Sequence, residues 1–389
     1  MKILLKIVLL LVFPYSCSAQ NNPENYYNEG NRHSEVGKWG FINKTGKKII
    51  DCKYGWANKF TEGLAAVEKN GKWGFIDKSG KEIIACQYEL YFYDDIEQHN
   101  FSDGLAVIEK NKKWGFIDKS GKEMIPCQYD YVFRTFSDGL AVVMRNSEFY
   151  CIDKSGKEID SNKYEGTGWL SDGLLDVEKN HKWGYIGTTG RVVIPLQYEA
   201  VRLFSDGLAA VRNNNKWGFI DKQGREVIAW QYDNVGWRFQ DGLISVLKGN
   251  KWGFINKEGK EIIPCEYDDV QPFSEGLAKV SKNGKWGFID KQDKEIIPAQ
   301  YDEYPWGAKN FSEGLAGVCK NGRCGFIDKA GKVITPFQYD VVEPFSEGLA
   351  AVGRNGKWGF IDKTGKEIVP CKYVYAETFT NGLARVKEK

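Results

Sequence analysis

Residues 345–373 read Phe345-Ser346-Glu347-Gly348-Leu349-Ala350-Ala351-Val352-Gly353-Arg354-Asn355-Gly356-Lys357-Trp358-Gly359-Phe360-Ile361-Asp362-Lys363-Thr364-Gly365-Lys366-Glu367-Ile368-Val369-Pro370-Cys371-Lys372-Tyr373. Two short β-prone runs flank Asn355-Gly356, a pair that tolerates positive φ at both positions and therefore favours a two-residue hairpin. A second turn follows at Lys363-Thr364-Gly365-Lys366. There an aspartate precedes the turn and a glycine sits where the left-handed conformation is needed. The same reading at 63–84 gives strands over 63–69, 72–77 and 82–84, joined by Asn70-Gly71 and Lys78-Ser79-Gly80-Lys81. The unit is a three-stranded antiparallel meander. A hairpin alone is marginal in water, so such units must share a core with their neighbours.

Moving outward, the unit recurs along the chain. Trp-Gly stands at Trp39, Trp73, Trp114, Trp183, Trp217, Trp252, Trp286 and Trp358, with degenerate copies at Phe149-Tyr150 and Cys324-Gly325. The spacings are 34, 41, 35, 34, 34, 35, 34, 38 and 34 residues. From the Phe of Phe-Ser-Glu-Gly to the next Tyr is 28 residues in every internal copy, as from Phe60 to Tyr88, whereas the step from that Tyr to the next Phe varies from 6 to 13. The meander length is fixed and the Tyr-to-Phe connection is free. In a repeat array such variation maps to loops on one side.

Lys-Trp-Gly-Phe-Ile-Asp-Lys is complete at 72–78, 113–119, 216–222, 285–291 and 357–363. On these residues the chain resembles the WG-repeat family, also called KWG repeats, over nearly all of 36–389. The resemblance implies a repeat architecture in exported or interaction proteins, and it brings no catalytic residues with it. The expected fold is all-β: tandem three-stranded antiparallel meanders forming an open or weakly curved β solenoid, with a closed toroid or propeller-like ring as the alternative. The array starts near the second strand of a unit, at Val36-Gly37-Lys38-Trp39, and stops after a first strand, at Gly382-Leu383-Ala384-Arg385-Val386. That phase would let the two ends complete one unit, although ten units exceed the usual 4–8 blades of a propeller.

Residues 1–19 read as a signal peptide, with Lys2 and Lys6 before the apolar run 7–13 and small residues at Cys17-Ser18-Ala19. Export to the periplasm, the cell surface or the medium follows as an expectation, with lipid anchoring through Cys17 as the alternative. Residues 20–35 form a polar tail. No later run approaches 18 apolar residues, so no membrane span is expected. A net charge of +2 over 389 residues excludes a whole-chain basic field for nucleic acid.

The candidate chemistry is sparse. Cys52, Cys86, Cys127, Cys265 and Cys371 share a repeat position that holds Leu196, Trp230, Ala299 and Phe337 elsewhere, so it reads as an apolar slot for free thiols. No Cys-x-x-Cys occurs, and neither a metal nor a cofactor is expected. Cys319 and Cys324 flank Asn321-Gly322 and are expected to face each other as a cross-strand disulfide. Asp77 and its repeat equivalents read as turn-bonding carboxylates, since one occurs in nearly every unit. His33, His99 and His181 share no repeat position and read as exposed. The repeat Trp reads as inter-repeat core.

Trp56, Trp169, Trp237 and Trp306 fall in the variable connections, and the longest connection adds Tyr91-Phe92-Tyr93. Aromatics outside a repeat slot are candidate contact residues. The expected function is an exported, non-enzymatic protein-interaction or scaffold surface for a protein or glycan. A carbohydrate-binding module using the loop aromatics is the alternative.

Overall fold

The Asn-Gly turns set the local geometry. Asn70 and Gly71 take φ of 55° and 77°, and Lys69 pairs with Lys72 across the turn. At the second turn the Asp77 carboxylate accepts from the amides of Ser79 and Lys81 at 2.9 and 3.0 Å. The side-chain bond from Ser79 is the largest reason that its acidity lies above the ordinary carboxylate range. A third turn, Glu62-Gly63, also has both residues at positive φ and closes Thr61 against Leu64. Each repeat is thus folded by three tight turns of polar or glycine residues.

A computed structural model describes residues 37–89, 99–159, 164–303 and 310–389. The expected signal peptide at 1–19, the expected polar tail at 20–35, Tyr91, Phe92, Tyr93 and Trp306 lie outside these residues. Among the described residues there is no α-helix. Ten small antiparallel sheets form the ten blades of a β-propeller. Blade 1 shows the pattern in its strands Trp56–Ala57, Leu64–Lys69, Lys72–Asp77 and Glu82–Tyr88, which lie side by side in that order. The meander expected from the sequence is present, and two features add to it. The third long strand runs on to the Tyr, and the Tyr-to-Phe connection supplies a short fourth strand in most blades. That connection is therefore part of the sheet and not wholly a free loop.

The glycine of Trp-Gly has a specific cause. Trp73 pairs with Tyr88 but Phe75 pairs with Ile84, so the third long strand bulges opposite Gly74. A Cβ on Gly74 would lie 2.5 Å from the carbonyl oxygen of Ile84, closer than any carbon can approach. Six of the third strands carry an exposed proline, Pro126, Pro195, Pro264, Pro298, Pro336 and Pro370. Proline cannot donate to a further ladder, which protects this sheet edge from pairing with another chain.

The open solenoid is not what the chain forms; it takes the closed-ring alternative. Blade 10 is built from both ends of the array, with Lys48–Tyr54, Lys38–Asn43, Leu383–Glu388 and Tyr375–Ala376 adjacent in that order. Lys38–Asn43 pairs antiparallel with Leu383–Glu388 in unbroken register, from Lys38↔Glu388 to Asn43↔Leu383. The offset between the two ends of the array is the physical reason. Each end alone would leave half a sheet with unpaired backbone groups, and pairing the halves satisfies both.

Candidate functional site

Most repeated residues are consumed by the seams between blades. The Phe of Phe-Ser-Glu-Gly packs against the Phe or Tyr after Trp-Gly in the preceding blade. Nine such ring pairs occur, including Phe41–Phe60 across the closing seam at 4.9 Å. The serine hydroxyl donates to the carbonyl of the next Phe, as from Ser102 to Phe136 at 2.6 Å. The acidic residue accepts from the following blade's turn glycine, as Asp103 from Gly139 at 2.7 Å. Its charge meets the lysine that ends Phe-Ile-Asp-Lys in that blade. Eight ion pairs of this kind, 2.9 to 3.8 Å long, run around the ring. These exposed pairs add little stability each, but they explain why the positions recur. What remains for binding is whatever departs from the repeat.

Numbered in chain order, blades 3, 4, 5 and 6 span 131–153, 166–198, 200–232 and 234–267, and the departures converge on blades 3 and 4. Tyr150 stands where the other nine blades carry the close-packed glycine. Its ring is buried under the Arg145 guanidinium, and its O–H donates to Glu148 at 2.8 Å. Among the described residues, the place of the third long strand shows isolated bridges, Phe149↔Tyr164 and Ile152↔Glu158. The seam between blades 3 and 4 changes with it. Cys151 and Leu170 replace the two rings of the aromatic pair, and Thr188 replaces the lysine of the ion pair.

Trp169 lies on this seam and is 53% exposed. The half-buried Arg134 of blade 3 stacks on its ring at 3.7 Å and donates from Nε to the Gly168 carbonyl at 3.3 Å. Two blades further on, Trp237 is 54% exposed and carries Arg202 of blade 5 on its ring at 3.7 Å. Each indole thus has one face covered by the arginine of the preceding blade. The two tryptophans occupy the same connection of their repeats, so the ring presents them on one side. A buried chain of contacts links them. Asp176 accepts from the Trp169 amide at 2.9 Å, Tyr185 lies beside Asp176, and the Tyr185 hydroxyl donates to the Arg202 carbonyl at 2.7 Å.

Trp56 does not join this surface. It is 6% exposed, donates to Asn58 at 2.7 Å and packs on Trp39 at 5.2 Å. Its place in the short strand of blade 1 turns it into the closing seam, where Arg385 lies over both tryptophans. His99, two before its Phe as Trp237 is, is buried and stacked on Trp114 at 5.9 Å, with its pKa pushed down to about 4 by burial. His99 is therefore not the exposed loop residue expected. Of the repeat tryptophans, Trp183 and Trp358 are half-buried and the other six are buried.

Cys319 and Cys324 face each other across their turn and are bonded, with sulfurs 2.16 Å apart. Cys324 takes the place of the repeat Trp, and Cys319 is the residue opposite it. The five slot cysteines are free and half-buried, with burial pushing the Cys86 thiol up to about 12. Such thiols are poor nucleophiles and poor metal ligands.

Asp176, Arg134 and Arg202 escape a reading that looks only for motifs. Aligning the third position of the first long strand reveals the signal. It holds Ala66, Val107, Val142, Ala210, Ser245, Gly317 and Ala351, but also Asp176, Lys279 and Arg385. Three charges occupy an otherwise small or apolar slot, and all three are buried. Burial raises Asp176 to about 6 against the bond from Trp169, and lowers Lys279 to about 7. Arg385 is paired with Glu377 through Nε at 3.0 Å and donates to the Ala57 carbonyl.

The model of the WG containing repeat matches nine segments of the chain: 39–73, 73–114, 114–148, 183–217, 217–252, 252–286, 286–324, 325–358 and 358–389. The gap inside the array, 149–182, contains Tyr150 and Trp169. No curated protein matches the sequence. Among solved structures, a eukaryotic initiation factor is 10% identical, with 85% of this chain and 95% of that one covered and a TM-score of 0.42. Hsv2p of Kluyveromyces lactis is 10% identical over 58% and 89% of the two chains, with a TM-score of 0.33. PorZ, a surface component of the type-IX secretion system of Porphyromonas gingivalis, is 12% identical over 89% and 56%, with a TM-score of 0.27. These likenesses are too loose to carry an argument about function.

Proposed function

Because this chain belongs to the family of WG-containing repeat proteins, we propose that it is an exported, non-catalytic binding platform that engages its partner through the aromatic surface of blades 4 to 6. One observation carries the reading. Trp169 and Trp237 fall outside the repeat slots, are more than half exposed, and are each held by an arginine stack. Tryptophan and arginine are both among the residues enriched where binding energy concentrates. The stacks fix the rings before binding, which lowers the ordering cost. Export rests on the leader read at 1–19, and the Cys319–Cys324 bridge is in keeping with it.

A protein partner is the principal reading. A glycan is the second, favoured by one feature: two exposed flat rings at equivalent places on one side of a rigid ring could each stack on a sugar. The test is retention of the mature chain on envelope proteins of the producing cell and on immobilised polysaccharides, beside a Trp169→Ala/Trp237→Ala double variant. Loss of retention in the double variant with an unchanged melting temperature supports the platform. Retention that survives the double change refutes it.

A further inference from the structure

The Trp169 surface has a titratable support beneath it. Asp176 projects from the first long strand of blade 4 and is buried. Its Oδ1 accepts from the Trp169 amide at 2.9 Å. Gly168 makes the approach feasible, because a Cβ at that position would overlap the Asp176 carboxylate. The groups facing Asp176 can be named. Arg134 of blade 3 acts on it electrostatically, and Tyr185 adjoins it from the second long strand of blade 4. Tyr185 is held protonated, with its acidity suppressed by burial and by Asp176, and its O–H is committed to the Arg202 carbonyl. Arg134 is the residue stacked on the Trp169 ring. One carboxylate therefore holds the backbone of the exposed tryptophan and attracts the arginine that covers its face.

We propose that Asp176 is a positioning residue for the Trp169 surface, and that its protonation loosens the Trp169–Arg134 stack. The physical basis is the difference between the two states of the carboxyl. As an anion it accepts a charge-assisted bond, roughly twice as strong as a neutral one, and attracts the guanidinium. Once protonated it loses both advantages. Burial favours the protonated state and brings the change to about pH 6. No neighbouring carboxylate is needed, and the ring itself need not open. The surface would be ordered near neutrality and looser in mildly acidic surroundings. This inference builds on the binding-platform reading but is tested without any ligand.

The experiment is fluorine NMR of the mature chain labelled with 5-fluorotryptophan, with the Trp169 resonance assigned by Trp169→Phe. The Trp169 signal is expected to shift in a single titration centred near 6, while the Trp237 signal stays in place. Asp176→Asn, which keeps the shape, should abolish the titration. Arg134→Met removes a charge that favours the anion and should raise the midpoint, which covers the case of an Asp176 variant that does not fold. An unshifted Trp169 signal between pH 5 and 7.5 overturns the proposal. So does a titration that persists in Asp176→Asn, or a midpoint unmoved by Arg134→Met. A failed titration leaves the platform reading standing, and a failed retention assay leaves the titration standing.

Discussion

Trp217 and Trp237 share one guanidinium: the ring centre of Trp217 lies 5.0 Å and that of Trp237 3.7 Å from Arg202. Trp217 is 5% exposed and Trp237 54%, so one is core and the other surface, although both contact the same cation. Trp217→Ala is expected to cost about 3–5 kcal/mol, as for other buried aromatic truncations. Trp237→Ala loses an exposed stack and should cost about 1 kcal/mol or less. Denaturant midpoints of the two variants check the split. Equal losses would contradict the assignment of Trp237 to a binding surface.

The Trp-Gly glycine gives a second expectation. A Cβ on Gly218 would lie 2.7 Å from the Ile228 carbonyl oxygen, and the next nearest atoms, of Ala229 and Trp230, are also backbone, with no flexible side chain to yield. Gly218→Ala should destabilise by about 1–3 kcal/mol, the range of overpacked interiors. Hydrogen exchange should show the loss concentrated in Glu226–Tyr232, the strand that bulges over it. Protection that falls evenly over the ring would argue against this cause.

Two buried groups tilt stability with pH in opposite senses. His99 is held at about 4 against an ordinary value of 6.5, so the unfolded chain takes up its proton first. Its contribution is complete above 6.5 and is lost as pH falls to 4. Asp176 is raised from 3.8 to about 6, so the folded chain takes up its proton first. Its contribution is complete below 3.8 and is lost as pH rises through 6. Each slope amounts to at most about 3 kcal/mol. Relative to wild type, His99→Gln should gain stability on acidification and Asp176→Asn should lose it. Denaturant midpoints between pH 4 and 7 measure both. Parallel behaviour of the two variants would refute the account.

The closing seam holds a buried ion pair. Arg385 and Glu377 are bonded to each other, and Arg385 also bonds the Ala57 carbonyl of blade 1. Removing one partner leaves a buried charge uncompensated, a loss of about 3–5 kcal/mol, whereas an apolar replacement of both can be nearly neutral. Glu377→Gln is therefore expected to lower the melting temperature more than Glu377→Leu/Arg385→Met. If the double variant is the weaker, the pair itself stabilises the ring and the desolvation argument fails.

Much of the fold is legible in the sequence because its turns are local. Asn70-Gly71 and Asp77 with Gly80 fix a hairpin and a turn without reference to distant residues, and the strands follow from them. Closure is less legible. It depends on how ten small rotations add up, and neither end of the array encodes that by itself. The surface residues were legible only in part. Trp169 and Trp237 stand out because they break the repeat, and they are exposed. Trp56 breaks it too, but a buried arginine on the neighbouring blade captures it. Asp176 is hidden in a strand of ordinary length, and only comparison with the same place in the other blades shows it as foreign. Tyr150 carries the clearest lesson. It stands where nine blades have only a hydrogen, and the pairing that begins eight residues further along is reduced, among the described residues, to isolated bridges.

The antiparallel pairing of Lys38–Asn43 with Leu383–Glu388 also decides how the ring bears force. Lys38 and Glu388 are direct partners at one extremity of the ladder. Tension applied between them pulls the first rung apart and then each rung in turn, a zipper geometry, so the load is never shared by the whole ladder. A tether on one side alone transmits no load through this junction. Such a junction yields at lower force than the same ladder loaded along its strands would.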